Sequence, residues 1–293
     1  MAGEHQAIAK DQEAFELSYI CSSAMYGTMK LSEVLPEVRK TGATTLDLWP
    51  KPHGSQHEEA VAMGPGKFAQ MLADHEVGLG GIACYRYGAF KLQPQLELAT
   101  ALGGKDVVLV CTGVGPRETK GEELRKAVAK FVEQLKPHHE KALKHDCIIA
   151  IENHSNNLIS SPDSMKWFGE MASEMPALGI AYAPHHLPQD ADMQAKLIVS
   201  LGSAIQFFYA QQHGKGAKKK MPKEDELLQM PGRGSLDFRP LLGALRAIKF
   251  TGPTEIFMHP FPRGLPILDS ANAITAEINR SREYLEACLS KDA

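Results

Sequence analysis

The chain has 293 residues, of which 43% are hydrophobic and 23% are charged, as in an ordinary soluble globular protein. The formal net charge of −3 gives no electrostatic reason to expect a nucleic-acid partner or an anionic membrane surface. No apolar run approaches the roughly 20 residues that cross a bilayer, and the polar segment over residues 1–16 lacks the apolar core of a signal peptide.

Strand-like and helix-like segments alternate eight times along the chain. The predicted strands cover residues 17–21, 45–49, 79–84, 107–112, 148–152, 179–183, 205–211 and 255–259. The predicted helices cover residues 31–41, 68–75, 96–102, 122–145, 164–174, 193–201, 238–249 and 276–289. Such an alternation predicts a parallel sheet with crossover helices, and eight strands is the number that closes a TIM barrel.

The alternative architecture is an open, doubly wound sheet. That fold normally has a glycine-rich phosphate-binding turn after its first strand, and residues 21–27 here read Cys-Ser-Ser-Ala-Met-Tyr-Gly. We therefore predict an α/β protein with a single (β/α)8 TIM barrel over residues 17–293, preceded by a polar extension over residues 1–16.

The five cysteines contain no Cys-x-x-Cys pair, which argues against a zinc-finger framework. Four of them lie on or beside predicted strands, where a cysteine behaves as a small hydrophobic residue. We therefore expect free thiols, a reduced interior and a cytoplasmic location.

Glu152 is the first candidate for a functional residue. It ends the apolar run 147–151 and is followed by Asn153 and His154. A short run of this kind is typical of a buried parallel strand, and the carboxyl ends of barrel strands carry the active site. A carboxylate buried there needs a metal, a hydrogen-bond partner or a proton. The alternative is an acid that only reaches solvent at the end of its strand.

Further polar residues follow the predicted strands two and five to eight. Five histidines end strands five to eight, and these strands are neighbours around a barrel, so we expect their side chains to converge. Imidazole and carboxylate groups together commonly bind zinc, manganese or iron, although any single histidine is more often a structural residue. The candidates beside Glu152 are Trp49, His154, His185, His186, Tyr209, Gln211, His213, His259 and Arg263.

The eighth predicted strand carries Glu255, Phe257 and His259 on one face. Glu255 lies four residues before His259, which corresponds to about 13 Å along a strand. We therefore place His259 at the active-site end and interpret Glu255 as a structural ion at the opposite end, the barrel floor. The long segment 213–233 contains Lys218, Lys219 and Lys220, and it is either a solvated loop or a lid over the barrel.

The chain resembles the sugar phosphate isomerase/epimerase superfamily, the xylose isomerase-like barrels that include ketose 3-epimerases, inosose dehydratases and endonuclease IV. The similarity covers roughly residues 17–289. Its best matches are LATALG at residues 98–103, IAIENH at 149–154, GRGSLDF at 232–238 and Gly252-Pro253 before strand eight.

The resemblance implies a divalent-metal site with Glu, Asp, His and Glu ligands from strands five, six, seven and eight. Glu152 matches the first ligand. In the Asp-x-x-His pattern of strand six, Ala183 replaces the Asp and His186 keeps the His. Tyr209 falls nearest the expected His, and His259 replaces the Glu before Pro-Phe. We predict that Glu152, His186 and His259 hold Mn, Zn, Co or Fe, because an added imidazole disfavours magnesium.

The resemblance also implies an isomerase or epimerase that acts on a sugar or an oxidised, keto sugar. Glu152 and His259 would carry the proton chemistry next to a carbonyl, and Trp49 would form a platform for a sugar face. Arg263 would bind an anionic group or hydroxyls. The remaining predicted substrate contacts are His154, His185, Tyr209, Gln211 and His213.

Three alternatives remain at this point. A lyase or dehydratase acting on a keto-sugar or inosose would share the first proton abstraction. A non-catalytic sugar-binding barrel could keep a degenerate metal site. A metal-dependent hydrolase or nuclease is disfavoured by the negative net charge and the missing Asp. The expected partner is a small carbohydrate, with neither nucleic acid nor membrane, and self-association is a further expectation of the resemblance.

Overall fold

Eight parallel strands close into one barrel, in which each strand pairs with its sequence neighbours and β8 pairs with β1. The computed structural model describes residues 15–290, so residues 1–14 of the predicted extension lie outside the described residues. The strands are β1 (Ser18–Ser22), β2 (Thr45–Leu48), β3 (Gly78–Ala83), β4 (Val107–Thr112), β5 (Cys147–Glu152), β6 (Leu178–Tyr182), β7 (Ile205–Ala210) and β8 (Pro253–Ile256). The predicted (β/α)8 fold is confirmed.

Helices surround the barrel and follow the strands in chain order. They are α1 (Leu31–Val38), α2 (Gln56–Met63), α3 (Pro65–Asp74), α4 (Gln93–Ala101), α5 (Gly121–Lys144), α6 (Pro162–Met171), α7 (Ala191–Leu201), α8 (Lys223–Glu226), α9 (Arg239–Ala247) and α10 (Ala271–Ser290). Short 3-10 turns include Pro184–His186 and Leu227–Gln229. None of the helices in the described part combines the length and apolar character that a membrane span needs.

The strands are buried on both faces, as expected of a parallel sheet covered by helices. Every residue of β6 is buried, and so are residues 107–111 of β4. The helices cover the outside of the barrel through apolar stripes. On α5 this stripe consists of Leu124, Val128, Phe131, Val132 and Leu135. The long apolar runs of the sequence therefore correspond to the barrel wall.

The predicted bounds of the eighth strand are wrong. β8 begins at Pro253 and ends at Ile256, three residues before His259. The Phe257 N–H still donates to the Ala210 carbonyl of β7 at 3.4 Å. Beyond Phe257 the backbone leaves the ladder, because the Met258 N–H points to the Met25 sulfur at 3.3 Å and the His259 N–H donates to the Gln229 side chain at 3.2 Å. His259 is consequently held by side chains of other segments.

The five cysteines are all buried and none forms a disulfide. Burial raises the pKa of Cys21 and of Cys111 to about 12, so both thiols stay protonated at neutral pH. The cysteines on the strands act as small core residues, as their positions predict.

Candidate functional site

Glu152 occupies the last position of β5, paired in register with Thr112 of β4 and Ala181 of β6. Its side chain reaches the mouth of the barrel, the end at which the strands finish. The carboxylate is buried, and Oε1 lies 3.5 Å from Nε2 of His186. The second oxygen, Oε2, has no hydrogen-bond partner among the described residues. Glu152 therefore presents an unpaired, buried carboxylate oxygen at the mouth.

Opposing influences act on the pKa of Glu152. Burial is the largest and raises the pKa, whereas the hydrogen bond with His186 and the charge interactions with His186, His154 and His185 lower it. The lowering prevails, so the pKa of Glu152 lies below its usual value. Glu152 is therefore ionised at neutral pH, as a general base or a metal ligand must be.

Histidine rings surround Glu152 at the mouth. Six of the twelve histidines of the chain form a continuous group, called the histidine cluster. Its members are His53, His154, His185, His186, His213 and His259. Successive ring centroids are 4.1 Å apart for His154–His186, 4.8 Å for His186–His185, 6.3 Å for His185–His259 and 5.0 Å for His259–His53. The convergence predicted from four neighbouring strand ends is therefore present.

Backbone carbonyls determine the tautomer of two of these rings. Nδ1 of His185 lies 3.0 Å from the Gln212 carbonyl oxygen, and Nδ1 of His213 lies 3.2 Å from that of His185. A carbonyl oxygen only accepts, so Nδ1 must carry the hydrogen in both rings, and in the neutral ring the Nε2 lone pair is then available to a metal or a substrate hydroxyl. Nδ1 of His154 lies 2.7 Å from the Ser155 carbonyl oxygen and 3.1 Å from the Asn157 amide nitrogen, an acceptor and a donor that favour opposite tautomers.

Burial keeps part of the histidine cluster neutral. It lowers the pKa of His53 to about 4 and that of His185 to about 3, and it lowers the pKa of His259 well below its usual value. The Arg263 charge is the next largest cause for His53 and His259. These three imidazoles are therefore uncharged at pH 7, when each can donate one hydrogen bond and accept another.

The donor set beside Glu152 fits a divalent ion of the zinc type. One ligand atom each of Glu152, His154 and His186 lies within 4.8 Å of the other two. A carboxylate with two imidazoles is a common zinc ligand set, and the bonded Nδ1 of His154 provides the outer hydrogen bond usual for such ligands. His259 is not part of this group, so its predicted role as a ligand stays a prediction.

Two of the four positions expected from the resemblance offer no ligand. Ala183 has no donor atom. The Tyr209 hydroxyl is paired with that of Tyr85 at 2.9 Å, and burial raises its pKa well above the usual value. An ion at this mouth would therefore depend on Glu152, His154 and His186.

Trp49 and Tyr209 belong to a layer of aromatic rings directly below the histidine cluster, called the aromatic floor. Its other members are Tyr85 and Phe257. The Trp49 ring stacks on Phe257 with centroids 4.9 Å apart and lies 5.3 Å from Tyr85, and only 1% of Trp49 is exposed. Tyr209 is equally buried and contacts Phe257 at 5.8 Å. Trp49 therefore offers no open face to a sugar in this arrangement, and its role as a platform stays a prediction.

A pair of buried acids, Asp47 of β2 and Glu255 of β8, lies inside the barrel with no exposed surface. Their four oxygens lack donors within hydrogen-bonding distance, although the Trp49 indole and the Ser22 hydroxyl lie beside them, also without partners. The two carboxyl groups are close enough to hydrogen-bond to each other, which requires a proton on one of them.

The pKa values of this pair explain why Glu255 is not the structural ion inferred from the sequence. Burial raises the pKa of Asp47 to about 6, although the neighbouring Glu255 carboxyl group and Trp49 indole act in the lowering direction. Burial, followed by the charge and hydrogen bond of Asp47, raises the pKa of Glu255 well above its usual value. Two like charges in contact in a nonpolar interior cannot both persist. Glu255 is therefore a protonated acid that shares its proton with Asp47.

Gln211 lies at the end of β7 and holds other side chains in place. It is buried, and its amide donates to Oε1 of Gln229 at 2.9 Å. Gln229 donates in turn to the His259 carbonyl at 2.9 Å and accepts from the His259 N–H at 3.2 Å. Gln211 therefore acts on His259 through Gln229, and its role as a direct substrate contact stays a prediction.

The segment with the three lysines follows β7. Lys218, Lys219 and Lys220 are exposed, whereas the later part of the segment is anchored to the barrel. The Gln212 N–H donates to the Gln229 carbonyl at 2.9 Å, and the Gln212 amide donates to the Met230 carbonyl at 2.8 Å. The proposed lid function of the lysines stays a prediction.

Sequence reasoning did not select His53, Tyr85 or Gln229. His53 and Tyr85 follow the ends of β2 and β3, which is the signal that identified the histidines on the opposite side of the barrel. Gln229 lies in a loop far from any strand end, and no signal in the sequence connects it with His259.

The comparisons with known proteins agree with this geometry. Residues 35–284 match the model of the xylose isomerase-like TIM barrel family. The chain belongs to this family. A comparison with curated proteins finds no match.

Solved structures share the whole architecture of this xylose isomerase-like barrel at low sequence identity. The IolI protein with a bound zinc atom is 16% identical, with a TM-score of 0.68 over 92% of this chain and 98% of that one. Protein SMc04130 from Sinorhizobium meliloti 1021 is 18% identical, with a TM-score of 0.65 over 91% and 98%. D-psicose 3-epimerase from Clostridium cellulolyticum H10 is 13% identical, with a TM-score of 0.66 over 93% and 99%.

Proposed function

We propose that this barrel is a sugar isomerase or epimerase that removes a proton next to the carbonyl group of a sugar or keto-sugar. The observation that carries the proposal is the buried, ionised carboxylate of Glu152, whose Oε2 has no partner at the mouth of the barrel. Epimerases among the similar structures and the zinc atom of the IolI structure are consistent with it.

Each group at the mouth has a role in this reaction. Glu152 accepts the proton from carbon or binds the metal. The neutral ring of His185 donates its N–H to the Gln212 carbonyl, so its Nε2 can accept a hydrogen bond from a substrate hydroxyl, and the ring of His259 can likewise orient a hydroxyl group. In an isomerisation the protonated Glu152 can return its proton to the neighbouring carbon. A bound divalent ion would polarise the substrate carbonyl and so acidify the neighbouring C–H bond. The burial of the site strengthens all these interactions because little water competes with them.

Elimination is the second candidate because it begins with the same proton abstraction. A probable 3-DHS dehydratase from Bacillus anthracis has the same architecture, with a TM-score of 0.61 at 12% identity. Product analysis separates the two reactions. A panel of ketoses, 3-keto sugars and inososes should yield an isomer or epimer of unchanged mass, whereas elimination yields an unsaturated product lighter by one water. Binding without any turnover across the panel would instead indicate the non-catalytic barrel.

The metal part of the proposal predicts which side chains retain the ion. We expect about one Zn, Mn, Co or Fe per chain after dialysis, and loss of this metal in His154→Ala and in His186→Ala, because each removes one of three ligands. His259→Ala tests whether this ring provides a fourth ligand. Elemental analysis of the dialysed proteins is the measurement.

His75→Ala is the matched control, because His75 ends α3 away from the mouth, and it should keep its metal. Equal metal content in the control and in the two ligand variants would show that the ion is bound elsewhere or not at all.

A further inference from the structure

Arg263, His53 and His259 form a corner of the mouth on the side of β8 and β2. The ring centroids of His53 and His259 are 5.0 Å apart. The Arg263 charge acts on both rings, and it is the largest influence after burial on each. The guanidinium group is itself partly buried. The three side chains therefore lie together at one side of the mouth, and the charge of Glu152 also reaches His53.

Most polar atoms of this corner have no hydrogen-bond partner among the described residues. Arg263 donates one hydrogen bond, to the Pro260 carbonyl at 3.0 Å, and no carboxylate of the described residues lies within 4.0 Å of its guanidinium. His259 Nδ1 is buried without a partner, and the ring nitrogens of His53 make no hydrogen bond with another described residue.

Glu226 is the acid whose charge acts on Arg263, but both of its carboxylate oxygens are bonded to other groups. Glu226 attracts the guanidinium electrostatically, but its Oε1 accepts the Phe261 N–H at 3.0 Å and its Oε2 accepts the Lys223 ammonium at 2.8 Å. A partly buried guanidinium without a bound carboxylate is costly, because it has lost water without gaining a partner of opposite charge. The Arg263 corner is therefore electropositive and rich in free hydrogen-bond donors.

We propose that the Arg263 corner binds an acidic group of the substrate, so that the substrate is an anionic sugar, either a sugar acid or a sugar phosphate. The inference rests on the proposed function, since it places this anion in the site of Glu152. A guanidinium fork matches the paired oxygens of a carboxylate or phosphate, and the ring nitrogens of His53 and His259, which have no partner among the described residues, can each add a hydrogen bond.

The arrangement also orients the substrate. Glu152 is negative and repels an anion, whereas Arg263 attracts it across the histidine cluster. An anionic sugar therefore binds with its acidic end at Arg263 and its neutral end at the carboxylate that removes the proton. Lysine in place of Arg263 would keep the charge but lose the planar fork.

Calorimetric titration of Glu152→Gln protein tests this inference without turnover. The probes are D-glucuronate, D-galacturonate, glucose 6-phosphate and fructose 6-phosphate, each compared with its neutral parent sugar. At least one acidic sugar should bind about 10- to 100-fold more tightly than its parent, the range of one charge-assisted pair. The advantage should disappear when Arg263→Ala is added, and Arg263→Lys should restore only part of it. Tighter binding of the uronates would indicate a sugar acid as the substrate, and tighter binding of the hexose phosphates would indicate a sugar phosphate.

Arg125→Ala is the control, because Arg125 is an exposed residue of α5, and it should leave the preference unchanged. Equal affinity for acidic and neutral sugars across the panel, or a preference that survives Arg263→Ala, would overturn the inference. Turnover of neutral sugars by the unmodified protein, without any acidic preference, would reject the anion site and leave the proposed function standing. Anion binding that depends on Arg263, without turnover of any sugar, would support the anion site and reject the proposed function.

Discussion

Replacement of Glu152 by Gln is expected to lower turnover about 10²- to 10⁴-fold while leaving the fold intact. The amide keeps the shape of the side chain but cannot accept a proton from carbon, and loss of a positioned general base costs roughly this factor. The fold should survive because Glu152 makes one long contact, 3.5 Å to His186. Steady-state kinetics and thermal unfolding on the same preparations measure both effects.

Glu255→Gln is the matched control for this substitution. Glu255 is also a buried glutamate of the barrel, but it lies with Asp47 beneath the aromatic floor, so most of the turnover should remain. If Glu152→Gln kept full turnover on the identified substrate, Glu152 would not be the base. If it unfolded the protein, Glu152 would have a structural role instead.

The second large effect concerns stability and its dependence on pH. The folded-state pKa values of Asp47 and Glu255 are raised, to about 6 for Asp47, above the usual values of 3.8 and 4.5. An acid with a raised folded-state pKa contributes stability that is fully present below its unfolded pKa and is lost as the pH rises through the folded one. The contribution of this pair to the free energy of unfolding should therefore fall from about pH 4 upward, whereas the buried histidines, whose folded-state pKa values are lowered, contribute in the opposite direction.

Glu255→Gln mimics the protonated acid, so it should remove most of the stability loss that this pair causes as the pH rises. At pH 8 we expect the variant to be more stable than the unmodified protein by on the order of 1–3 kcal/mol, with little difference at pH 4. Urea unfolding at the two pH values measures this. A variant that was less stable at pH 8 would show that both acids are needed in their charged forms.

Glu37 provides a control because its pKa is shifted in the opposite direction. It is also buried, but the hydrogen bonds from Lys40 and Thr275 outweigh its burial and lower its pKa. Its stabilisation is present above its usual pKa and is lost as the pH falls. Glu37→Gln should therefore destabilise the protein at pH 8, where Glu255→Gln stabilises it.

The fold could be predicted from the sequence because a barrel repeats one local pattern of a strand followed by a helix. The apolar runs of β4 and β5 are buried from both sides, so their hydrophobicity alone identifies them. Glu152 could be located for the same reason, since it ends such a run. The short β8 was misplaced because the apolar pattern continues through Phe257 and Met258, whereas the N–H groups of Met258 and His259 point to side chains of Met25 and Gln229.

The sequence was not sufficient for contacts that depend on distant segments. Glu255 was interpreted as an ion because Asp47, its partner, lies more than two hundred positions earlier in the chain. Trp49 was predicted at the open mouth, but Phe257 and Tyr85 cover its ring. The metal group likewise depends on the ring of His154 turning toward Glu152, which no spacing in the sequence determines.

Hydrogen exchange in D2O tests the central claim, removal of a carbon-bound proton by Glu152, most directly. The protein is incubated in D2O with keto-sugars, sugar acids and sugar phosphates, and proton NMR follows the C–H signal next to each carbonyl. We expect loss of this signal for a bound substrate with the unmodified protein and with Glu255→Gln, and its persistence with Glu152→Gln. Exchange at the same rate with Glu152→Gln, or a substrate converted without any exchange or transfer of this hydrogen, would contradict it.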